Sequence, residues 1–340
     1  MRELMDVQRQ LLPDLIETLK KRYMILNTIM LSGTIGRRTL AASLDMTERV
    51  LRAEVDFLKA QGLLDTDSAG MQVSRTGREL LEQMEPLFNE LFGLSDMEES
   101  IGRHFGLKQV VVIPGDWDTS PFTKKELGRA GALMLRKYAL KDDVIAVAGG
   151  STMAEVAEWL TPSEPMKGNW FVPARGGLGE SVELQANMIA STMAKKTGGQ
   201  YRLLHVPDHL SDEAYQSLIQ EPNIREVVDV IRNARVVLHG IGNALHMAKR
   251  RRADESTIRL LQDEYARGEA FGYYFDAKGQ IVHKMPTLGL RLEDIHQMDT
   301  VIAVAGGKSK GEAIAAVLQH GHEDVLVTDE AAGNEILKLI

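Results

Sequence analysis

The chain of 340 residues contains no cysteine, which excludes disulfide staples and thiolate chemistry. No apolar run approaches the roughly 20 residues that a membrane helix needs. The N-terminus, MRELMDVQRQLL, is charged and amphipathic and lacks the apolar core of a signal peptide. A cytoplasmic location with no membrane partner is therefore expected. Neither an HExxH nor an HxH pair is picked out among the nine histidines, so no metal site is expected. Walker A and GxGxxG patterns are absent too, and no resident cofactor is expected.

What remains is an ordinary globular composition, 44% hydrophobic and 26% charged. The length suffices for two domains, one small and one large. Net charge is −8, yet residues 20–60 hold eight basic side chains against four acidic ones. That stretch is thus net +4, and the rest of the chain carries −12. An acidic body with a basic head repels DNA everywhere except at the head.

The basic stretch has the pattern of a helix-turn-helix. Residues 1–35 read as helix, with Pro13 at a kink or a first turn. A short helix at Arg38–Leu44, a turn at Asp45-Met46 and a helix at Thr47–Ala60 capped by Thr47 follow. Leu63–Ser74, with a turn at Ser68-Ala69-Gly70, reads as a two-stranded wing. On the Thr47–Ala60 wheel, Val50, Leu51, Val55 and Leu58 share one face, and Arg49, Arg52, Ala53 and Asp56 the other. A buried stripe opposite two arginines suits a helix lying in a major groove. Arg49 and Arg52 are the base-reading candidates; Lys20, Lys21, Arg37, Arg38 and Lys59 are the phosphate candidates, with Thr47 at the helix start. A small helical subdomain that binds protein is the alternative. Thr76–Phe92 reads as a helix that runs on to about residue 105, a connector able to act as a lever.

Beyond it, apolar runs alternate with helical patterns, which predicts a doubly wound parallel sheet. The expected strands are Val110–Ile113, Val144–Ala148, Trp170–Val172, Tyr201–Val206, Arg235–Leu238, Gly272–Phe275, Val301–Ala305 and Val325–Thr328. Within them IAVAGG occurs twice, at Ile145–Gly150 and Ile302–Gly307. Each copy runs from strand through two glycines into a helix pattern, which presents backbone N–H groups to an anion. Gly149, Gly150, Ser151 and Thr152 form the first cradle; Gly306 and Gly307, with Lys308 or Lys310, form the second. The alternative is a tight strand-to-helix turn with no ligand. Arg175 is a bidentate phosphate candidate or an ion-paired loop residue. The run Lys249–Arg252 could close on an anion or be a solvated helix end. Glu269 and Asp276 could accept sugar hydroxyls or merely cap turns.

The segments IGRRTLAASLDMTERVLRAEVDFL, VAGGSTMAEVAE, FVPARGGLGE, QANMIA, YRLLHVP, EAFGYYFDAKGQIVHK and IAVAGGKSKGEAI together resemble the SorC-type sugar-binding transcriptional regulators. The resemblance covers essentially the whole chain. It implies a winged helix-turn-helix over 1–90 and an effector domain over 91–340. The latter would be similar to glucosamine-6-phosphate deaminase and ribose-5-phosphate isomerase folds, without their activity. It implies fructose-1,6-bisphosphate or a related phosphosugar as effector. Gly149, Gly150, Ser151 and Thr152 would hold one phosphate, Arg175 and Gln185 would lie nearby, and Arg250, Glu269 and Lys310 would complete the pocket. It further implies a repressor of a glycolytic operon, dimeric through the effector domain and tetrameric on operator DNA. The competing function is a sugar-phosphate isomerase or deaminase, for which Glu180, Glu269 or His239 could supply a base.

Overall fold

The computed structural model describes residues 11–44, 46–67, 70–177, 181–208 and 210–340, with side chains for all of these except 82, 85–91 and 212. The expected helical residues 1–10, the turn residues Asp45, Ser68 and Ala69, and the candidate base Glu180 lie outside the described residues. The chain divides into two compact units. The first ends at Asp96 and also takes in Ser120–Phe122; the second comprises Met97–Thr119 and Thr123–Ile340.

The first unit starts with α1 (Pro13–Ser32). Pro13 is in its first turn, where a missing N–H has no partner to lose. Gly33, at φ +72°, stops the helix short of the expected residue 35. Next come α2 (Arg37–Ser43) and α3 (Glu48–Ala60). The Thr47 hydroxyl accepts the Val50 N–H at 3.3 Å and caps α3. Leu51, Val55 and Leu58, at helical spacing, form the buried stripe of α3. Val50 departs from the expected buried face and is 44% exposed. It lies about 100° round the helix from Leu51, off the edge of the stripe. The wing is an antiparallel hairpin of β1 (Leu64–Thr66) and β2 (Met71–Val73), and Ile35 bridges to Met71 as a third short pairing. One core joins these pieces, with Ile25, Ile29, Leu40 and Leu51 fully buried. The helix α4 (Arg75–Phe92) does not run on to residue 105: Gly93, at φ +76°, separates it from α5 (Ser95–Phe105).

In the second unit, β3 (Gln109–Ile113), α6 (Pro121–Tyr138), β4 (Val144–Val147), α7 (Ser151–Trp159), β5 (Trp170–Pro173), α8 (Ala186–Thr197) and β6 (Gln200–Tyr201) alternate. After α9 (Asp212–Leu218) and α10 (Pro222–Arg232) come β7 (Val236–His239), β8 (Gly242–Asn243), α11 (Ala244–Arg250) and α12 (Glu255–Asp263). The chain finishes with β9 (Gly268–Ala270), β10 (Tyr273–Phe275), β11 (Ile281–Lys284), α13 (Leu292–Ile295), β12 (Thr300–Val304), α14 (Gly311–His320), β13 (Val325–Asp329) and α15 (Glu330–Leu337).

The expected parallel sheet is present, seven strands in the order β3-β13-β12-β7-β4-β5-β6. Its inner strands TVIAV, VLVTD and VVLH are buried along their whole length, as strands covered on both faces must be. Two expected strands differ. Of Tyr201–Val206 only Tyr201 pairs, next to Gln200; the Asn187 amide instead exchanges hydrogen bonds with the Leu204 backbone at 2.9 and 3.0 Å. Gly272–Phe275 does not join the parallel sheet. Phe271 and Gly272, at φ +52° and +83°, turn β9 back into β10. The result is a separate antiparallel sheet, β11-β10-β9-β8.

The winding places the site. From β4 the chain proceeds towards β5 and β6; from β7 it proceeds towards β12 and β13. The β4–β7 pair is therefore the point where the winding reverses, and a crevice opens beyond its carboxyl ends.

The packing of α3 gives a paired test. Leu51→Ala is expected to destabilise the first unit by about 2–5 kcal/mol, and Val50→Ala by about 0.5 kcal/mol or less. Urea unfolding of both variants checks this; equal losses would contradict the placement of Val50.

Candidate functional site

A cavity of about 520 Å³ lies beyond the ends of β4, β5, β7 and β12, at that reversal point. All nine residues expected to surround an effector line it. The turn after β4 shows why glycine is needed there. A Cβ on Gly149 would stand 2.8 Å from the Leu184 carbonyl oxygen, and Gly150 takes φ +115°. The Gly150 N–H donates to Leu184 O at 2.8 Å, which fastens the turn to the segment before α8. Ser151 then starts α7, with Ser151 exposed and Thr152 buried. The first-turn N–H groups of a helix have no partner within it, and that end carries partial positive charge. Two hydroxyls and a helix N-terminus thus meet at one wall of the cavity.

The second IAVAGG copy does not form a matching cradle. The Gly307 N–H donates to Asp329 at 2.7 Å, Ser309 N–H to Asp118 at 2.8 Å and Lys308 N–H to Asp116 at 3.2 Å. Three carboxylates of the chain itself take the donors, so Gly306 and Gly307 hold a turn. Nor are the two strands neighbours: β7 lies between β4 and β12, which sets them about 9.6 Å apart. Ser309 and Lys310 nevertheless reach the cavity. Burial pushes the Lys310 ammonium below its usual range, against the pull of Asp118 and Asp329. Its Nζ lies 5.9 Å over the Trp117 ring.

Arg175 is buried and ion-paired, not a surface loop residue. Its Nε is 2.9 Å from Asp208, and its Nη1 is 3.5 Å from Glu269. Arg251 closes the ring, at 3.2 Å from Asp208 and 2.7 Å from Glu269. No member's side chain is more than 7% exposed. Burial alone raises the Glu269 carboxyl, but Arg251 and then Arg175 outweigh it and hold it below the usual range. Burial likewise opposes the charge on Arg251, and Glu269 with Asp208 more than restores it. Asp276, by contrast, accepts the N–H groups of Lys278 and Gln280 at 2.8 and 2.9 Å and only closes a turn.

Sequence reasoning passed over several cavity residues. Asp208 and Arg251 stand in unremarkable loops, although Arg251 falls within the noted run Lys249–Arg252. The HGIGN segment, His239–Asn243, also lines the wall, and Asn243 caps α11. With these included, the cavity holds four basic side chains (Arg175, Arg250, Arg251 and Lys310) against two carboxylates, Asp208 and Glu269. The surplus of two positive charges, together with the helix N-terminus, suits a dianionic or more highly charged ligand. The same surroundings disarm the candidate bases. Glu269 is held ionised between two arginines, and His239, 1% exposed, is pushed down to about 4, chiefly by burial.

In the first unit, Arg49 and Arg52 are exposed on α3, as the wheel predicts. Arg38 is 90% exposed, with Glu48 at 3.6 Å, and Lys59 donates to Thr66 on the wing at 2.5 Å. Arg37 is half-buried. Lys21 departs from its expected role: it pairs with Glu54 at 2.9 Å, beside Arg22 at 2.8 Å. Lys20 lies 5.3 Å from the Phe92 ring. Exposed charge on α3 and α2 is thus the surface this unit offers to a polyanion. Among the described residues, no helix is long and apolar enough to cross a membrane.

Comparison with known proteins agrees with both halves. A family model described as "CggR N-terminal DNA binding domain" matches residues 18–88, and one described as "Putative sugar-binding domain" matches residues 89–338. The chain is 48% identical to the central glycolytic genes regulator of Priestia megaterium over 339 residues, 99% of each chain. It is 45% identical to the protein of the same name from Bacillus subtilis over 338 residues, again 99% of each. Among solved structures, a SorC family transcriptional regulator from Enterococcus faecalis superposes with a TM-score of 0.66 at 43% identity. That match covers 71% of this chain and 99% of the other.

The buried ring of charges yields a pH test. Glu269→Gln leaves two buried arginines short of a carboxylate and is expected to cost about 3–5 kcal/mol at neutral pH. The Glu269 contribution is complete above its unfolded pKa of about 4.3 and is lost as pH falls through its lower folded value. Urea midpoints of wild type and variant should therefore differ at neutral pH and converge on acidification. A gap that stays constant down to about pH 3 would contradict the pairing.

Proposed function

The chain belongs to the central glycolytic genes regulators, within the SorC-type sugar-binding family, and we propose that it represses a glycolytic operon until fructose-1,6-bisphosphate fills its cavity. It is a DNA-binding regulator with a sugar-binding domain and not an enzyme. The observation that carries the proposal is the cavity's charge: four cations and a helix N-terminus against two carboxylates. One phosphate would sit on the turn after β4, against Ser151 and Thr152. The other would reach Lys310 and Arg250, across the width of β7. The ring formed by Arg175, Asp208, Arg251 and Glu269 would face the sugar between them and present carboxylate oxygens to its hydroxyls.

Operator DNA would lie along α3, with Arg49 and Arg52 at base edges and Arg37, Arg38 and Lys59 at phosphates. The working form would be a cytoplasmic homodimer that pairs into a tetramer on DNA. The sugar weakens this grip only if it binds the DNA-competent assembly less tightly than the free one. An isomerase reading fares worse, because Glu269 is committed to two arginines and burial makes His239 a weaker base than a free imidazole.

Three outcomes are expected. In thermal-shift screening, fructose-1,6-bisphosphate should raise the melting temperature more than any hexose monophosphate; equal shifts would contradict a two-phosphate site. Thr152→Ala and Lys310→Ala should abolish the sugar response and keep operator affinity, whereas Arg49→Ala and Arg52→Ala should each cost about 1–3 kcal/mol of operator binding. Retention assays with and without sugar separate the two classes. A phosphate beside Lys310 would favour the charge that burial disfavours, so sugar binding should take up protons at pH values near and above its lowered pKa. Affinity should then fall as pH rises through the lowered pKa of Lys310; calorimetry in buffers of different ionisation enthalpy reads the proton uptake.

A further inference from the structure

Outside the cavity lining, three histidines from two segments converge. His296 follows the end of α13, His320 ends α14 and His322 lies between α14 and β13. One ring nitrogen of each lies within 4.8 Å of the others, and the ring centroids are 5.3, 5.8 and 6.1 Å apart. Phe275 packs 4.9 Å from the His320 ring and 6.4 Å from that of His322.

Each of the two inner rings has an oxygen neighbour at one nitrogen. His320 Nδ1 meets the Gly279 carbonyl at 2.9 Å, which leaves Nε2. His322 Nε2 lies 3.0 Å from the Glu323 carboxylate. Both His322 ring nitrogens are buried without a hydrogen bond, and a buried polar atom normally has one. A carbonyl or carboxylate behind the ring is how metal-ligating imidazoles are oriented and made more basic. His296 is exposed and gives the cluster an open side.

We propose that His296, His320 and His322 bind a divalent transition-metal ion of the zinc class, with water as the fourth ligand. Three imidazoles without a thiolate favour zinc, nickel, cobalt or copper over magnesium or calcium. Nitrogens bound to zinc at about 2.0–2.1 Å stand roughly 3.4 Å apart in a tetrahedron. The bound ion would tie the end of α13 to the turn that leads into β13. It would also give the buried His322 ring a partner for a nitrogen that has no hydrogen bond. The expectation of no metal site counted neither HExxH nor HxH; His320-Gly321-His322 is an HxH pair and corrects it, while His296 joins only through the fold.

The test uses the full chain, stripped with chelator and titrated with Zn²⁺ alone and with Co²⁺ alone. One equivalent per chain should bind, and Co²⁺ should show the intense visible bands of four-coordination. His296→Ala and His320→Ala should each weaken Zn²⁺ binding by about tenfold or more. His104→Ala, an exposed histidine on α5, should leave it unchanged. His296 is exposed, so far-UV circular dichroism of His296→Ala should match wild type, which keeps the comparison valid if a buried variant unfolds. Absent binding, or equal affinity in wild type, His296→Ala and His320→Ala, would overturn the site.

Discussion

Two arginines and two carboxylates, removed from water together, hold the mouth of the larger unit in one shape. Arg175 follows β5, Asp208 lies beyond β6, Arg251 follows α11 and Glu269 is on β9. Four segments far apart in sequence are thus fixed by one closed ring of contacts. Such a ring is costly to desolvate and adds little net stability compared with an apolar core. Its value is geometric. Each arginine has both carboxylates as partners, so shifting any one segment strands a charge. Lys310 and Arg250 lie outside this neutral ring, and they carry the surplus that an anionic ligand would answer.

The two IAVAGG copies show how context decides what a motif does. Both form a strand, a glycine turn and a helix start, and both strands lie in the same sheet. After β4 the helix start faces the cavity, and Ser151 and Thr152 line it. After β12 the turn meets Asp116, Asp118 and Asp329, which take its N–H groups. Asp329 accepts from Trp117, Gly307 and Ala332 while also capping α15, so the second turn is built into the core. Only Lys310, just beyond it, keeps a role at the cavity. A repeated hexapeptide therefore does not imply a repeated site.

Much of the fold was legible in residue patterns. The runs Val144–Val147 and Val301–Val304 are apolar throughout, as strands of a doubly covered parallel sheet are. Leu51, Val55 and Leu58 marked the inner stripe of α3 because helical spacing puts them on one side. Arg49 and Arg52, opposite, had to be exposed. What was not legible depended on contacts distant in sequence. The wheel could not show that the stripe is too narrow to include Val50. Nothing near Lys21 announced Glu54, 33 residues away. The cavity residues Gln185, Arg250, Glu269 and Lys310 were named through family resemblance, whereas Asp208 and Arg251 went unnoticed because their importance lies in pairing. The antiparallel sheet was missed for a similar reason. Its strands are two to four residues long, and the turn at Phe271-Gly272 is visible only in backbone angles.

The central claim is that one cavity takes a sugar phosphorylated at both ends. A crystal structure of the full chain with fructose-1,6-bisphosphate tests it most directly. The expected result is one phosphate on the N-terminus of α7 beside Thr152 and the other against Lys310 and Arg250, with the sugar over the Arg175–Glu269 ring. A sugar bound elsewhere, or a cavity that leaves the α7 N-terminus without a phosphate, would contradict the claim.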